Sequence, residues 1–146
     1  MDKYDCLKLE NQLCFPLYVA SKEVIRKYKP ILDELDLTYT QYIAMMVIWE
    51  EKKIKVTELA KKLYLDTGTI SPLIRKLKSK DYIRIHRDEE DERVQIIEIT
   101  KIGLDLREQA INVPKAMMEN KCINLSLEEI KELKKLLDKV NGVSYE

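Results

Sequence analysis

Apolar positions along this chain recur mostly at helical spacing, with one alternating stretch. The spacing predicts a first helix over about residues 12–35. Pro16 fits only its first turn, where backbone amides have no helical partner. Regular turns therefore begin near Leu13 and put Cys14 in the first of them, while Pro30 bends or ends the helix. "TYTQYIAMMVIWEE" predicts a second helix. Thr38 and Gln41 form a capping box, and Tyr42, Met45, Met46 and Trp49 form a core face. "KVTELAKKLYL" predicts a short helix with Val56, Leu59, Ala60 and Leu63 on one side. In "DTGTISPLIRKLKSKDY", Asp66 is the N-cap and Ile70, Leu73, Ile74 and Leu77 are the buried stripe. "YIRIHRDEEDERVQIIEIT" alternates and turns back at a polar tip, Asp88 to Arg93. Ile83 and Ile85 lie on its first strand, and Val94, Ile96 and Ile99 on the second. Thr100 caps a long helix reaching about Asn120 and bent at Pro114. Ser126 and Glu129 form a second capping box, opening a helix with a stripe at Leu127, Ile130, Leu133 or Lys134, Leu137 and Val140.

The order of elements carries the first functional expectation. Two short helices joined tightly, the second bearing hydroxyls near its start and cations further on, read as a helix-turn-helix. Thr67, Thr69 and Ser71 suit phosphates and base edges, and Arg75 and Lys76 suit guanine or backbone. A hairpin directly after such a helix is a wing, whose Arg87 and Arg93 suit a minor groove. The acids Glu89 to Glu92 are wrong for DNA contact, but they suit ion pairs that orient the arginines. The expected fold is mainly α with a small β-hairpin wing, one winged helix-turn-helix domain over residues 1–146. Its DNA-binding module spans about 54–100. Helices at about 12–35 and 101–141 are left to form a homodimer, whose two modules would face successive half-sites roughly 34–36 Å apart.

Composition narrows this picture. The chain has 146 residues, 36% charged and 45% apolar, with 3 glycines and 4 prolines, which suits one helical, soluble domain. Its longest apolar run, "YIAMMVIW", falls far short of a membrane span of roughly 18 residues. The N-terminus lacks the basic and apolar regions of a signal peptide, so the cytoplasm is expected. Net charge is zero. Lys61 to Arg87, however, holds eight cations (Lys61, Lys62, Arg75, Lys76, Lys78, Lys80, Arg84, Arg87) against Asp66 and Asp81, a local +6. A basic block on a neutral protein points to an anionic partner. Cys6, Cys14 and Cys122 lack metal spacing, and an odd cysteine number argues against a disulfide framework. His86, the one histidine, lies in a strand with polar flanks. No nucleophile elbow, Gly-rich phosphate loop or HExxH is present, so neither an enzyme, a metal nor a cofactor is expected.

Helices flanking a winged helix-turn-helix in this order resemble the MarR family of dimeric bacterial repressors, with "DTGTISPLIRKL" and "RDEEDER" as recognition helix and wing. "LENQLCF", "YKPILDEL", "LTYTQY" and "LYLDTGT" are similar to its organic hydroperoxide sensor (OhrR) branch. The resemblance implies that Cys14 is oxidised by organic hydroperoxides and that operator DNA is then released. It implies that Tyr28 and Tyr39 flank the cysteine and that Tyr18 is offered by the partner subunit. Pro16 departs from the branch, which has an apolar residue there.

Physical chemistry agrees with that role. A free thiol has a pKa of about 8.5 and is only about 3% thiolate at pH 7. Two tyrosine donors at about 1.5 kcal/mol each would lower that by roughly two units, against the opposing effect of apolar burial. A helix N-terminus lowers it further. Apolar surroundings favour alkyl or aryl hydroperoxides over hydrogen peroxide. Cys6 falls in a tail. Cys122, just before the last helix, is near the expected dimer seam and is a candidate to form an intersubunit disulfide with oxidised Cys14; a mixed disulfide with a small thiol is the alternative. Two other functions compete. One is a ligand-responsive regulator with an aromatic molecule near Tyr28, Tyr39 and Trp49. The other is a thiol peroxidase, which the basic helix-turn-helix and the lack of a CxxC motif oppose.

Overall fold

The computed structural model describes residues 1–143. Two single 3₁₀ turns, Asp5–Leu7 and Leu9–Asn11, lead into α1, Cys14–Asp33. Then follow α2 (Tyr39–Glu51), β1 (Lys53–Lys55), α3 (Val56–Lys62), α4 (Thr67–Ser79), β2 (Ile83–Arg87) and β3 (Gln95–Ile99). The chain continues through α5 (Lys101–Ala110), α6 (Asn112–Glu119) and α7 (Leu127–Val140).

Helix α2 is the hub. Ala44, Met45 and Ile48 are 0% exposed, because α1, α4, α5 and the sheet all pack around it. That explains its near-continuous apolar sequence. The expected capping box is present: the Thr38 hydroxyl accepts the Gln41 N–H at 3.2 Å, and Gln41 Oε1 accepts the Thr38 N–H at 3.1 Å. Trp49 ties α2 to α5 by donating its indole N–H to the Gly103 carbonyl at 2.8 Å. Met46, expected in the core, is instead 46% exposed. It turns to the one side of α2 that no neighbouring element covers.

The hairpin is part of a three-stranded antiparallel sheet in the order β1-β3-β2. Strand β1, only three residues long, was not expected; Ile54 alone is buried between two exposed lysines, too short a pattern to read. Lysines also blunt this edge against further pairing. Ile97 is fully buried, paired with Ile54 on one side and Ile85 on the other, and Ile83 pairs with Ile99. The inward face of β3 is therefore Ile97 and Ile99. Ile96, on the same strand, faces the other way, and Val94 lies just before it.

The predicted long helix after Thr100 is broken rather than bent. Thr100 caps α5 as expected, through its hydroxyl to the Gly103 N–H at 3.0 Å. α5 stops at Ala110 and α6 restarts at Asn112. Pro114 has no N–H to offer the Ala110 carbonyl, so it falls in the first turn of α6 instead. Pro30, by contrast, lies inside α1, which continues to Asp33. α7 has its capping box, yet none of its residues is buried. Leu127, Leu133, Leu136 and Val140 are 64, 42, 52 and 62% exposed. No helix among the described residues is long and apolar enough to cross a membrane.

Gly103 sits where α5 meets the start of β2. A Cβ there would run into the Tyr82 carbonyl and lie 2.9 Å from Ile99 Cγ1. Backbone cannot yield as a side chain would. Gly103→Ala should therefore destabilise the protein by about 1–3 kcal/mol, several degrees in melting temperature, measured by thermal unfolding.

Candidate functional site

Helix α4 presents its cations to solvent for a local reason. Ile70, Leu73, Ile74 and Leu77 are 1, 7, 4 and 0% exposed, which locks one face onto the core. Gly68, Pro72, Arg75 and Ser79 then fall on the opposite face, with Arg75 and Lys76 both exposed. The Asp66 side chain caps the helix, accepting the Thr69 N–H at 2.8 Å. Bonds from Thr69 hold the Asp66 carboxyl below its ordinary value, so the cap stays ionised at neutral pH. Thr67 and Thr69 are exposed in the first turn, beside free amides. Ser71 is half-buried and donates its hydroxyl back to the Thr67 carbonyl at 3.0 Å, so it is less available than its neighbours. Gly68 and Pro72 escaped the sequence reading because neither carries a polar group. Their place on the outer stripe offers close approach and an apolar contact of the kind that reads a thymine methyl.

The basic block is not uniform. Lys62 pairs with Glu51 at 2.9 Å, and Lys80 turns inward to the α1–α2 connection. Lys61, Arg75, Lys76 and Lys78 have no ion pair among the described residues. At the wing, Arg93 Nε lies 3.1 Å from Asp91 Oδ1, and Arg87 Nη1 donates to the Glu92 carbonyl at 2.7 Å. Arg93 holds the Asp91 carboxyl below its usual range. An acid of the tip, Asp91, thus holds Arg93, which remains 91% exposed at its side chain, whereas Arg87 is held by a backbone carbonyl and has no ion pair among the described residues.

A second constellation lies on α1. Cys14, its first residue, is exposed. Tyr18, Ser21, Ile25 and Tyr28 follow at alternating spacings of four and three, which places all five side chains on one helix face. At the far end Tyr28 packs on Tyr39 and Tyr42, with ring centroids 5.0 and 5.9 Å away. Burial first, then Tyr39 and Cys122, raise the Tyr28 pKa. Burial likewise pushes Tyr42 up to about 12. Both phenols remain protonated donors well above neutral pH. Cys122, in the turn after α6, is beside this cluster: its carbonyl accepts the Lys27 ammonium at 2.8 Å. Cys6 is exposed in the first 3₁₀ turn.

The geometry reverses one expectation. Cys14 and Tyr28 are fourteen residues apart on one continuous helix, about 21 Å along its axis at 1.5 Å per residue. Tyr28, and Tyr39 stacked on it, cannot reach the cysteine of their own chain. Tyr18, one turn from Cys14, can. Within one chain, Tyr18 is therefore the tyrosine of the three that lies near Cys14, and Tyr28 and Tyr39 lie at the far end of the helix. Nor do Tyr28, Tyr39 and Trp49 line one ligand pocket. Trp49 lies ten residues along α2 from Tyr39, about 15 Å, is 8% exposed, and has its N–H engaged.

A capped recognition helix, a charged hairpin beside it and an apolar hub beneath define a winged-helix DNA-binding protein. Comparisons place it more narrowly. The family model for the SarA/Rot transcriptional regulators matches residues 26–109. The chain is 40% identical to the organic hydroperoxide resistance transcriptional regulator of Bacillus subtilis, over 93% of this chain and 91% of that one. It is 44% identical to the regulator SarZ of Staphylococcus aureus, over 80% and 75% of the two chains. A solved structure of reduced AbfR bound to DNA superposes with a TM-score of 0.81 at 25% identity, covering 97% of this chain and 95% of that one. The chain belongs to the MarR-type family of winged-helix transcriptional regulators, in the branch of the organic hydroperoxide regulators.

Removing Arg75 and removing Arg93 should have different signatures. Arg75→Ala should cost about 1–3 kcal/mol on operator DNA and relax base preference, whereas Arg93→Ala should weaken binding with less loss of preference. Salt-dependent titrations on operator and random duplexes distinguish them. Equal losses on both duplexes for Arg75→Ala would make it a phosphate contact.

Proposed function

We propose that this chain is a redox-switched repressor that binds operator DNA as a homodimer in the cytoplasm and releases it when Cys14 is oxidised by an organic hydroperoxide. One observation carries the reading. An exposed first-turn thiol and a cluster of protonated tyrosines occupy opposite ends of the same face of α1, in a chain 40% identical to a regulator of organic hydroperoxide resistance.

A two-fold axis completes the site. If two α1 helices pack antiparallel with the axis near Ser21, midway between Cys14 and Tyr28, each cysteine meets the partner's tyrosine. Isologous pairing then makes two identical sites. Ser21 is small enough for close crossing, and Tyr18 would meet Ile25 of the partner subunit. The exposed stripes of α1 and α7 are the surface such a dimer covers. Thr67, Thr69, Ser71, Arg75 and Lys76 face the major groove, and Arg87 and Arg93 the minor groove.

The chemistry balances without a cofactor. The Cys14 thiolate attacks the terminal oxygen of ROOH. The O–O bond breaks, sulfur is oxidised to sulfenic acid, and the alkoxide leaves and takes a proton as ROH. The partner's Tyr28 and Tyr39 donate to the thiolate and fix its direction. Cys122 flanks that same cluster, so docking Cys14 there also brings the two sulfurs into one neighbourhood. The Cys122 thiolate then attacks the sulfenic sulfur, forms S–S and expels hydroxide, which is protonated to water.

Cys14→Ser should bind operator normally and stay bound after cumene hydroperoxide, followed by fluorescence anisotropy; release of the serine variant would remove Cys14 from the sensor role. On a non-reducing gel, the oxidised protein should run as a covalent dimer that Cys122→Ser abolishes. A monomer band from protein that has nonetheless left DNA would identify a mixed disulfide as the switch instead.

A further inference from the structure

Between the tyrosine cluster and the recognition helix lies one polar junction that neither binding nor oxidation accounts for. α1 ends at Asp33 and α2 begins at Tyr39. The connection passes through Asp36 at φ 53, a left-handed conformation unusual for a non-glycine residue. Tyr28 and Tyr39 pack as a tilted ring pair across this turn at 5.0 Å, so any displacement of α1 against α2 has to be absorbed in residues 34–38.

Lys80, the C-cap of α4, inserts into this turn. Its ammonium donates to the Asp36 carbonyl, approaches the Asp36 carboxylate at 3.5 Å and reaches Gln41 Oε1 at 3.3 Å. Gln41 is 6% exposed, the one buried polar side chain among the described residues. Its Oε1 is already the acceptor of the Thr38 N–H in the α2 capping box. One oxygen thus serves both the start of α2, two residues from Tyr39, and the end of α4. Lys80 keeps only 21% of its side chain exposed, unlike the outward Lys76 and Lys78.

We infer that Lys80 is a positioning residue for the switch: it latches the C-terminal end of the recognition helix to the α1–α2 turn and carries displacement at the tyrosine cluster into α4. The latch holds three acceptors with one cation, and charge-assisted bonds are the strong ones. It is also the polar contact that links the turn to α4 directly. The remaining contacts of α4 are its apolar stripe, which permits sliding but does not specify it. The inference rests on the redox reading for the origin of the displacement, but the latch itself is a property of the reduced protein. Coupling is reciprocal, so operator binding to α4 must also act on the turn, with no oxidation involved.

The test uses the full-length reduced and oxidised protein in three forms: wild type, Lys80→Met and Lys62→Met. Methionine keeps an apolar stem while removing the ammonium. Lys62 pairs with Glu51 in the same module, away from the turn, and serves as the control for loss of a cation. In the first measurement, operator DNA should slow hydrogen exchange of the Thr38 and Leu37 amides in wild type and in Lys62→Met, but not in Lys80→Met. In the second, the ratio of oxidised to reduced operator Kd should fall about tenfold in Lys80→Met and stay unchanged in Lys62→Met, while the rate of Cys14 sulfenate formation stays equal in all three. A purely structural role would lower the melting temperature and leave both readouts intact. Amide protection that is the same in Lys80→Met as in wild type overturns the latch. Wild type that shows the protection yet is not released by hydroperoxide overturns the redox reading and leaves the latch standing.

Discussion

The rigidity of α1 sets what the rest of the molecule can do. A continuous helix from Cys14 to Asp33 holds its first residue and Tyr28 about 21 Å apart, and no side chain spans that gap. On the proposed redox reading, the thiol and its donors would therefore meet only across a two-fold axis. Sensing and dimerisation would then be one property, since a lone protomer does not bring Cys14 and Tyr28 together. Pro16 is compatible with this because it occupies the first turn, where its missing N–H costs nothing.

From that helix the structure runs inward to α2 and outward to the DNA-reading surface. α2 is apolar on nearly every side, and the tyrosine cluster packs at its beginning while Trp49 pins its end to α5. α4 is packed on the same hub through Ile70, Leu73, Ile74 and Leu77. Its outer stripe and the cluster therefore rest on one shared helix. The wing is set by other means. Ile97, paired with Ile54 and Ile85, anchors the sheet, while Asp91 holds Arg93 and the Glu92 backbone carbonyl holds Arg87.

Much of this was legible in the sequence because local rules and packing agree there. Both capping boxes, the Asp66 cap, the α4 stripe and the first-turn placement of Cys14 follow from short-range chemistry that tertiary contacts do not override. What was missed depends on contacts distant in sequence. β1 is three residues whose pairing partner lies more than forty positions away. The inward face of β3 is decided by Ile97, which the alternation from Val94 concealed. Met46 sits in an apolar run that gives no sign of its uncovered side. Pro114 announced a disruption, but whether a helix bends or breaks is settled by what each half packs against. For the proposed redox site, the resemblance supplied the candidate residues. That Cys14 and Tyr28 of one chain lie too far apart to meet became evident only once α1 was seen to be one unbroken helix.

The central claim is that each sensor is assembled from two chains, and mixed dimers test it most directly. One mixed dimer would carry Cys14→Ser on one chain and Tyr28→Phe with Tyr39→Phe on the other. Its remaining cysteine then faces intact tyrosines of the partner, and sulfenate formation with cumene hydroperoxide should proceed at the wild-type rate per site. A second mixed dimer, with all three substitutions on one chain and a wild-type partner, should react about tenfold or more slowly, as expected for losing hydrogen bonds to a charged group. The opposite order, slow in the first dimer and fast in the second, would place the tyrosines beside the cysteine of their own chain and contradict the account.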